Sequence, residues 1–209
     1  MIVMPNTQPV IDDAAIVDFI LRRARDTASV RVAPMAAITK GLQGELMTEI
    51  GLLKEAGAVA ITEGTRSLAN ANVFRRALTY AKDFDLLVVQ HVEEPALSSG
   101  VMNAGETASR LGLSGNPAMS EVIMLERDLR LVEMTGARYH ASQISSRHSV
   151  EVMRAAKARG LPVTCGVSVH HLVLNENDIG AYRTFFKLSP PLRTEDDRRA
   201  LVEAVADGT

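Results

Sequence analysis

Gly-Ala-Arg-Tyr-His-Ala-Ser-Gln-Ile-Ser-Ser (136–146), Arg-His-Ser-Val-Glu-Val-Met-Arg-Ala-Ala-Lys-Ala-Arg-Gly (147–160) and Leu-Pro-Val-Thr-Cys-Gly-Val-Ser-Val-His-His (161–171) read as strand, helix, strand. The first strand is expected over Arg138–Ile144, bounded by Gly136 and Ser145. Ser149 is the expected helix cap, with Val150, Met153, Ala156 and Ala158 near helical spacing. Gly160 ends the helix, since glycine takes the left-handed cap conformation without a Cβ penalty. The second strand is expected over Pro162–Val167. So short a link from helix to strand suits a parallel crossover. Polar side chains crowd both strand ends: Gln143, Ser145 and Ser146, then Ser168, His170 and His171. In parallel sheets and barrels, chemistry gathers at those C-terminal ends.

The same alternation extends toward the N-terminus. Strands are expected at Met1–Met4, Val30–Ala36, Ala58–Thr62 and Leu86–Gln90. A helix opened by Asp12 and Asp13 follows the first, with Ile16, Phe19, Ile20 and Ala24 as its expected buried face. Further helices are expected over Glu45–Ala56, with Leu46, Ile50 and Leu53 facing in, over Ala69–Lys82 and over Ala118–Thr135. Val92–Pro117 is the longest irregular piece, and Thr194 caps a last helix over Glu195–Ala206. Strands alternating with helices mean an α/β protein with a parallel sheet or barrel. An eight-stranded (β/α)8 barrel takes about 250 residues. The expectation is therefore an incomplete (β/α)8 barrel, roughly strands 2–7 with their helices. It would form a single partial domain over residues 1–209, the chain being a fragment or a truncated product.

The composition narrows the classes. With 46% hydrophobic residues the chain can bury a sizeable core, and a formal charge of −2 gives no basic footprint for nucleic acid or an anionic membrane. Cys165 is the single cysteine, so no internal disulfide forms, and a reducing, cytoplasmic setting is expected. No apolar run approaches the roughly 18 residues of a membrane span.

The expected strand ends carry Asn6, Glu63, His91, Gln143, and Ser168 with His170 and His171. Carboxylate and imidazole at successive strand ends can converge on one point, and zinc accepts such ligands and acidifies bound water. Spacing alone leaves a plain alternative for each. His91 reads equally as a hydrogen-bonded strand-terminal histidine, and Glu63 reads more readily as a solvated or ion-paired carboxylate. His140 and His148 read as structural.

Nine strings, taken together, carry a resemblance. They are Met-Pro-Asn-Thr (4–7), Pro-Met-Ala-Ala-Ile-Thr-Lys-Gly (34–41), Leu-Lys-Glu-Ala-Gly-Ala-Val-Ala (53–60) and Gln-His-Val-Glu (90–93). Then come Glu-Arg-Asp-Leu-Arg-Leu-Val (126–132), Gly-Ala-Arg-Tyr-His (136–140) and Ala-Lys-Ala-Arg-Gly-Leu-Pro-Val-Thr (156–164). Val-His-His-Leu (169–172) and Pro-Pro-Leu-Arg (190–193) complete the set. In order and nearly end to end, the chain resembles dihydroorotase of the amidohydrolase superfamily.

The resemblance implies a metal-dependent TIM barrel that interconverts N-carbamoyl-L-aspartate and dihydroorotate in pyrimidine synthesis, with zinc as cofactor. It implies His91, Glu63 and Gln143 at the metal positions, and Asn6 and Ser189 at substrate-binding positions. The family's His-x-His pair and its catalytic aspartate have no counterpart in this chain. Glu63 stands for an aspartate, Gln143 for a histidine and Ser189 for an asparagine, while Ala104 and Gly166 replace glutamates. An amide oxygen is a poor transition-metal ligand beside an imidazole. Two readings follow: a dihydroorotase-type enzyme, or a non-catalytic relative acting as a structural partner of aspartate transcarbamoylase. The expected partners are a small-molecule substrate and either a second copy in a homo-oligomer or aspartate transcarbamoylase. A hydantoinase or allantoinase fits less well, because those enzymes carry a carboxylated lysine at the fourth strand, and the only nearby lysines here are Lys40, on the preceding strand's loop, and Lys54, on a helix.

Overall fold

The computed structural model describes residues 1–209. The first elements are β1 (Ile2–Val3), α1 (Ala14–Thr27), β2 (Ala33–Ala37), α2 (Ile50–Glu55), β3 (Ala60–Thr62), α3 (Ala71–Asp83) and β4 (Leu87–Gln90). Then come β5 (Met102–Asn103), α4 (Glu106–Leu111), β6 (Gly115–Asn116), α5 (Met119–Thr135) and β7 (Tyr139–Ala141). The chain ends with α6 (Arg147–Ala158), β8 (Val163–Cys165), α7 (Val169–Val173) and α8 (Glu195–Ala206). It divides into two compact units, Met1–His91 with Arg130–His140, and Val92–Leu129 with Ala141–Thr209. No helix is long and apolar enough to cross a membrane.

In the first unit every strand pair is parallel: Ile2 sits opposite Ala33, Ala36 opposite Ile61, and Ile61 opposite Val88. The Val88 amide then donates to the Arg138 carbonyl at 3.0 Å, carrying the ladder to the start of β7. Strands with helices on their faces are buried throughout, and Met35–Ala37 and Ala60–Thr62 are buried at every position. Helix α3 shows why these residues form a helix. The Asn70 side chain accepts from the amides of Asn72 and Val73, and Val73, Phe74, Ala77, Leu78 and Ala81 make one apolar stripe. Phe74 meets Tyr139 edge-on, with ring centroids 6.4 Å apart.

Two helix expectations for this unit are corrected. The fully buried residue of α1 is Val17, and Phe19 is 65% exposed. Asp13 caps the helix through the Ala15 amide, which fixes its phase, and Phe19 falls on the solvent side. Helix α2 begins at Ile50 rather than Glu45, and Leu46 is 70% exposed. The residues before it instead form a loop in which Thr39 bridges Met47.

The second unit turns the irregular 92–117 stretch into a small strand–helix–strand. Strands β5 and β6 are parallel, with Met102 opposite Gly115 and Asn103 opposite Asn116. The chain crosses itself so closely that a Cβ on Gly100 would lie 2.1 Å from the Gly115 carbonyl carbon. No other residue fits there. Its core is Met102, Ala108, Ile179 and Leu192, packed by Leu111, Leu113, Leu174, Phe186 and Leu188. The Gly166 amide donates to Ala141 and the Ile144 amide to Gly166, both at 2.9 Å, as in a parallel ladder. The cap of α6 is Ser146, not Ser149: Ser146 accepts from the Ser149 amide, and Ser149 itself is buried. Thr194 caps α8 as expected, in a reciprocal capping box with Asp197.

Candidate functional site at the strand ends

The parallel registers of β2, β3 and β4 send Glu63 and His91 off the same, C-terminal, end of the first unit's strands. Asn6 follows β1 at that end too. Gly64 turns the chain there with φ +72°, and a Cβ on it would lie 3.6 Å from the Asn6 Cβ. The exposed Asn6 amide therefore stands directly over the end of β3.

Glu63 is committed elsewhere. It is only 2% exposed. One carboxylate oxygen accepts from the Thr39 amide at 2.7 Å and the other from the Thr39 hydroxyl at 2.9 Å. The same hydroxyl oxygen accepts from the Gly44 amide at 2.8 Å. Burial pushes the Glu63 carboxyl above its ordinary value, against the lowering effect of the Thr39 donors. Glu63 is thus a latch between β3 and the loop after β2. His91 is buried at the end of β4. Its neighbour Gln90 accepts from the Leu68 amide at 3.3 Å, and the Gln90 side-chain nitrogen is buried without a partner.

In the second unit Gln143 lies exposed just beyond β7. Two residues on, the fully buried Glu121 of α5 accepts from the amides of Ser145, at 2.9 and 3.0 Å, and of Ser146, at 3.2 Å, and from both serine hydroxyls. Ser189 is exposed, and its hydroxyl donates to Glu93 at 3.0 Å. Glu93 also accepts from the Asn116 side-chain amide. Arg193 is 2% exposed and joins these pieces. Its guanidinium donates to the Ser145 hydroxyl at 3.0 Å, to the Asn103 side chain at 2.9 Å and to the Asn116 carbonyl at 2.5 Å. Neither Asn116 nor Glu121 stands out in the sequence as a candidate. Glu93 and Arg193 carry a signal only as members of the strings Gln-His-Val-Glu and Pro-Pro-Leu-Arg.

Ser168, His170 and His171 do not end a strand. Ser168 caps the short helix α7, and His171 is buried with Nε2 donating to the carbonyls of Pro190 and Pro191 at 3.1 and 3.2 Å. Burial pushes the His171 imidazole below 6.5, more than the two carbonyl contacts raise it. A histidine with a lowered folded pKa stays neutral while the unfolded chain takes up a proton, so stability is lost as pH falls below 6.5. Between neutral pH and pH 5, wild type is expected to lose more stability than His171→Gln, measured as urea midpoints. Parallel curves for the two proteins would contradict this.

The donor set does not fit a metal centre held by this chain. No three of its His, Cys, Asp and Glu side chains come together as a metal-holding group. Both Glu63 oxygens are occupied by Thr39, and Gln143 offers only an amide.

Comparison with known proteins places the chain. A family model described as dihydro-orotase-like matches residues 1–149. A dihydroorotase of Syntrophobacter fumaroxidans is 45% identical over 207 residues, covering 99% of this chain and 47% of that protein. The dihydroorotase of Deinococcus radiodurans is 43% identical, covering 100% of this chain and 50% of that protein. The chain thus spans about half the length of the curated relatives it matches. Among solved structures, the L-hydantoinase of Arthrobacter aurescens superimposes with a TM-score of 0.83 at 20% identity, over 99% of this chain and 48% of that one. A dihydroorotase from Campylobacter jejuni gives 0.71 at 13% identity, over 99% of this chain and 58% of that one. This chain shares the fold of about half of each of those structures, as expected of an incomplete (β/α)8 barrel. Since the family model matches well over half of the sequence, the chain is a member of the dihydroorotase-like family.

Proposed function

We propose that the chain supplies part of a dihydroorotase-type cyclic amidohydrolase, interconverting N-carbamoyl-L-aspartate and dihydroorotate. The observation that carries this reading is the placement of Asn6 over the Gly64 turn, at the strand end shared by Glu63 and His91, in a chain 43–46% identical to dihydroorotases. An exposed amide donor there can grip the substrate carboxylate, and hydrogen bonds to a charged acceptor are the strong ones. Ser189, in the second unit, stands at a position that the family uses for substrate binding, and its hydroxyl donates to Glu93. His91 is the remaining candidate metal ligand, and zinc is the metal expected by family.

The chain's own donors do not complete a metal centre, so it is expected to bind dihydroorotate without turning it over. For the same reason stoichiometric zinc is expected to leave the melting temperature of the chain unchanged. A rise of several degrees would mean that Glu63 leaves Thr39 to coordinate. The test of the functional reading is a calorimetric titration with dihydroorotate. Asn6→Ala is expected to weaken binding about tenfold, the loss of one charge-assisted hydrogen bond. Equal affinities for wild type and variant would remove Asn6 from the site.

A further inference from the structure

The second unit holds a cavity of about 220 Å3 that the strand-end site does not use. Its floor is Met102 and Ile179, two members of that unit's apolar core, with Val101, Leu113 and Phe186 around them. No acidic residue lines it, and Arg183 and Lys187 stand exposed at its edge. Neither cation is drawn into an ion pair within the fold. The Arg183 guanidinium instead lies 5.9 Å from the Phe186 ring centroid, so the charge is held beside the apolar opening.

A second observation comes from the backbone. Tyr182, on the cavity wall, has φ +60°, a conformation that bulky residues avoid. Its hydroxyl donates to the Leu111 carbonyl, tying the 180s segment to the end of α4. Strain held in place by a tertiary contact marks segments whose shape serves a site.

We propose that this cavity binds a small amphipathic monocarboxylate, with its apolar body against Met102, Ile179 and Leu113 and its carboxylate toward Arg183 and Lys187. The size sets the ligand class. An apolar cavity of about 150 Å3 accepts benzene, so this one admits a phenyl ring with a short tail but not a drug-sized molecule. The charge sets the polarity, since two unpaired cations beside an otherwise apolar wall favour an anion. Exposure of both cations limits that preference to about fivefold to tenfold.

The cavity shares no residue with the strand-end site, so this proposal and the dihydroorotase reading fail independently. The test titrates the 209-residue chain with phenylpropanoate, phenylpropanol and acetate, reading heat and amide shifts. Phenylpropanoate is expected to bind saturably at one site, phenylpropanol about fivefold more weakly, and acetate not at all. The double variant Arg183→Glu/Lys187→Glu, changed only at exposed positions, is expected to weaken phenylpropanoate about tenfold and leave phenylpropanol unchanged. Leu113→Trp, which fills the cavity, is expected to abolish both. Absence of saturable phenylpropanoate binding would overturn the proposal. So would acetate binding as tightly, or a double variant that binds phenylpropanoate like wild type.

Discussion

Replacing Glu121 with alanine is expected to destabilise the chain by about 4 kcal/mol. The side chain is fully buried, and it accepts from two backbone amides and two hydroxyls in the turn between β7 and α6. Alanine would leave the Ser145 and Ser146 amides without acceptors inside the protein. It would also leave Arg193, whose strongest counter-charge is Glu121, less well compensated. Removing one member of a buried charged network costs far more than a surface ion pair contributes. Glu121→Gln keeps an acceptor oxygen and the volume, and is expected to lose roughly half as much. Chemical denaturation of the three proteins checks this. A loss under about 1 kcal/mol for Glu121→Ala would show that water can replace the carboxylate.

The second large effect is expected at Glu63. Glu63→Ala should cost about 2 kcal/mol, because it strips both acceptors from Thr39 and leaves a buried amide unpaired. Glu63→Gln should cost less, since the amide oxygen still accepts from the Thr39 N–H and its NH2 can face the Thr39 hydroxyl. The pattern separates a latch from a metal ligand. A latch loses stability in metal-free buffer, whereas an open ligand at a strand end would lose stability only when zinc is present. Denaturation with and without chelator, on wild type and both variants, distinguishes the two.

What was legible in the sequence, and what was not, follows from the kind of signal each residue leaves. The Gly160 stop and the Thr194 cap depend on local backbone chemistry, and each stands where the sequence put it. The phase of α1 was not legible, because Phe19 and Val17 are both apolar and only the Asp13 cap and the neighbouring strand choose between them. Helix α5 shows the harder case. Its buried stripe runs Glu121, Met124, Leu125, Asp128, Leu129 and Val132, so two carboxylates occupy core positions while Ile123 is half exposed. A hydrophobic pattern assigns Ile123 inward and the carboxylates outward. For Glu121, only the tertiary donors of Ser145 and Ser146 reverse that. The ends of β3 and β4 could be found from sequence because Glu63 and His91 follow them directly, whereas Ser168, His170 and His171 lie beyond the end of β8. Which way Glu63 points could not be found, since Thr39 is 24 residues away.

The measurement that bears most directly on the strand-end site is a chemical-shift titration of the isotope-labelled chain with dihydroorotate. Saturable shifts are predicted at the Asn6 side-chain amide and the Gly64 backbone amide, with the Thr39 amide unchanged because Glu63 keeps hold of it. Shifts that avoid Asn6 and Gly64 while dihydroorotate binds elsewhere would contradict that assignment.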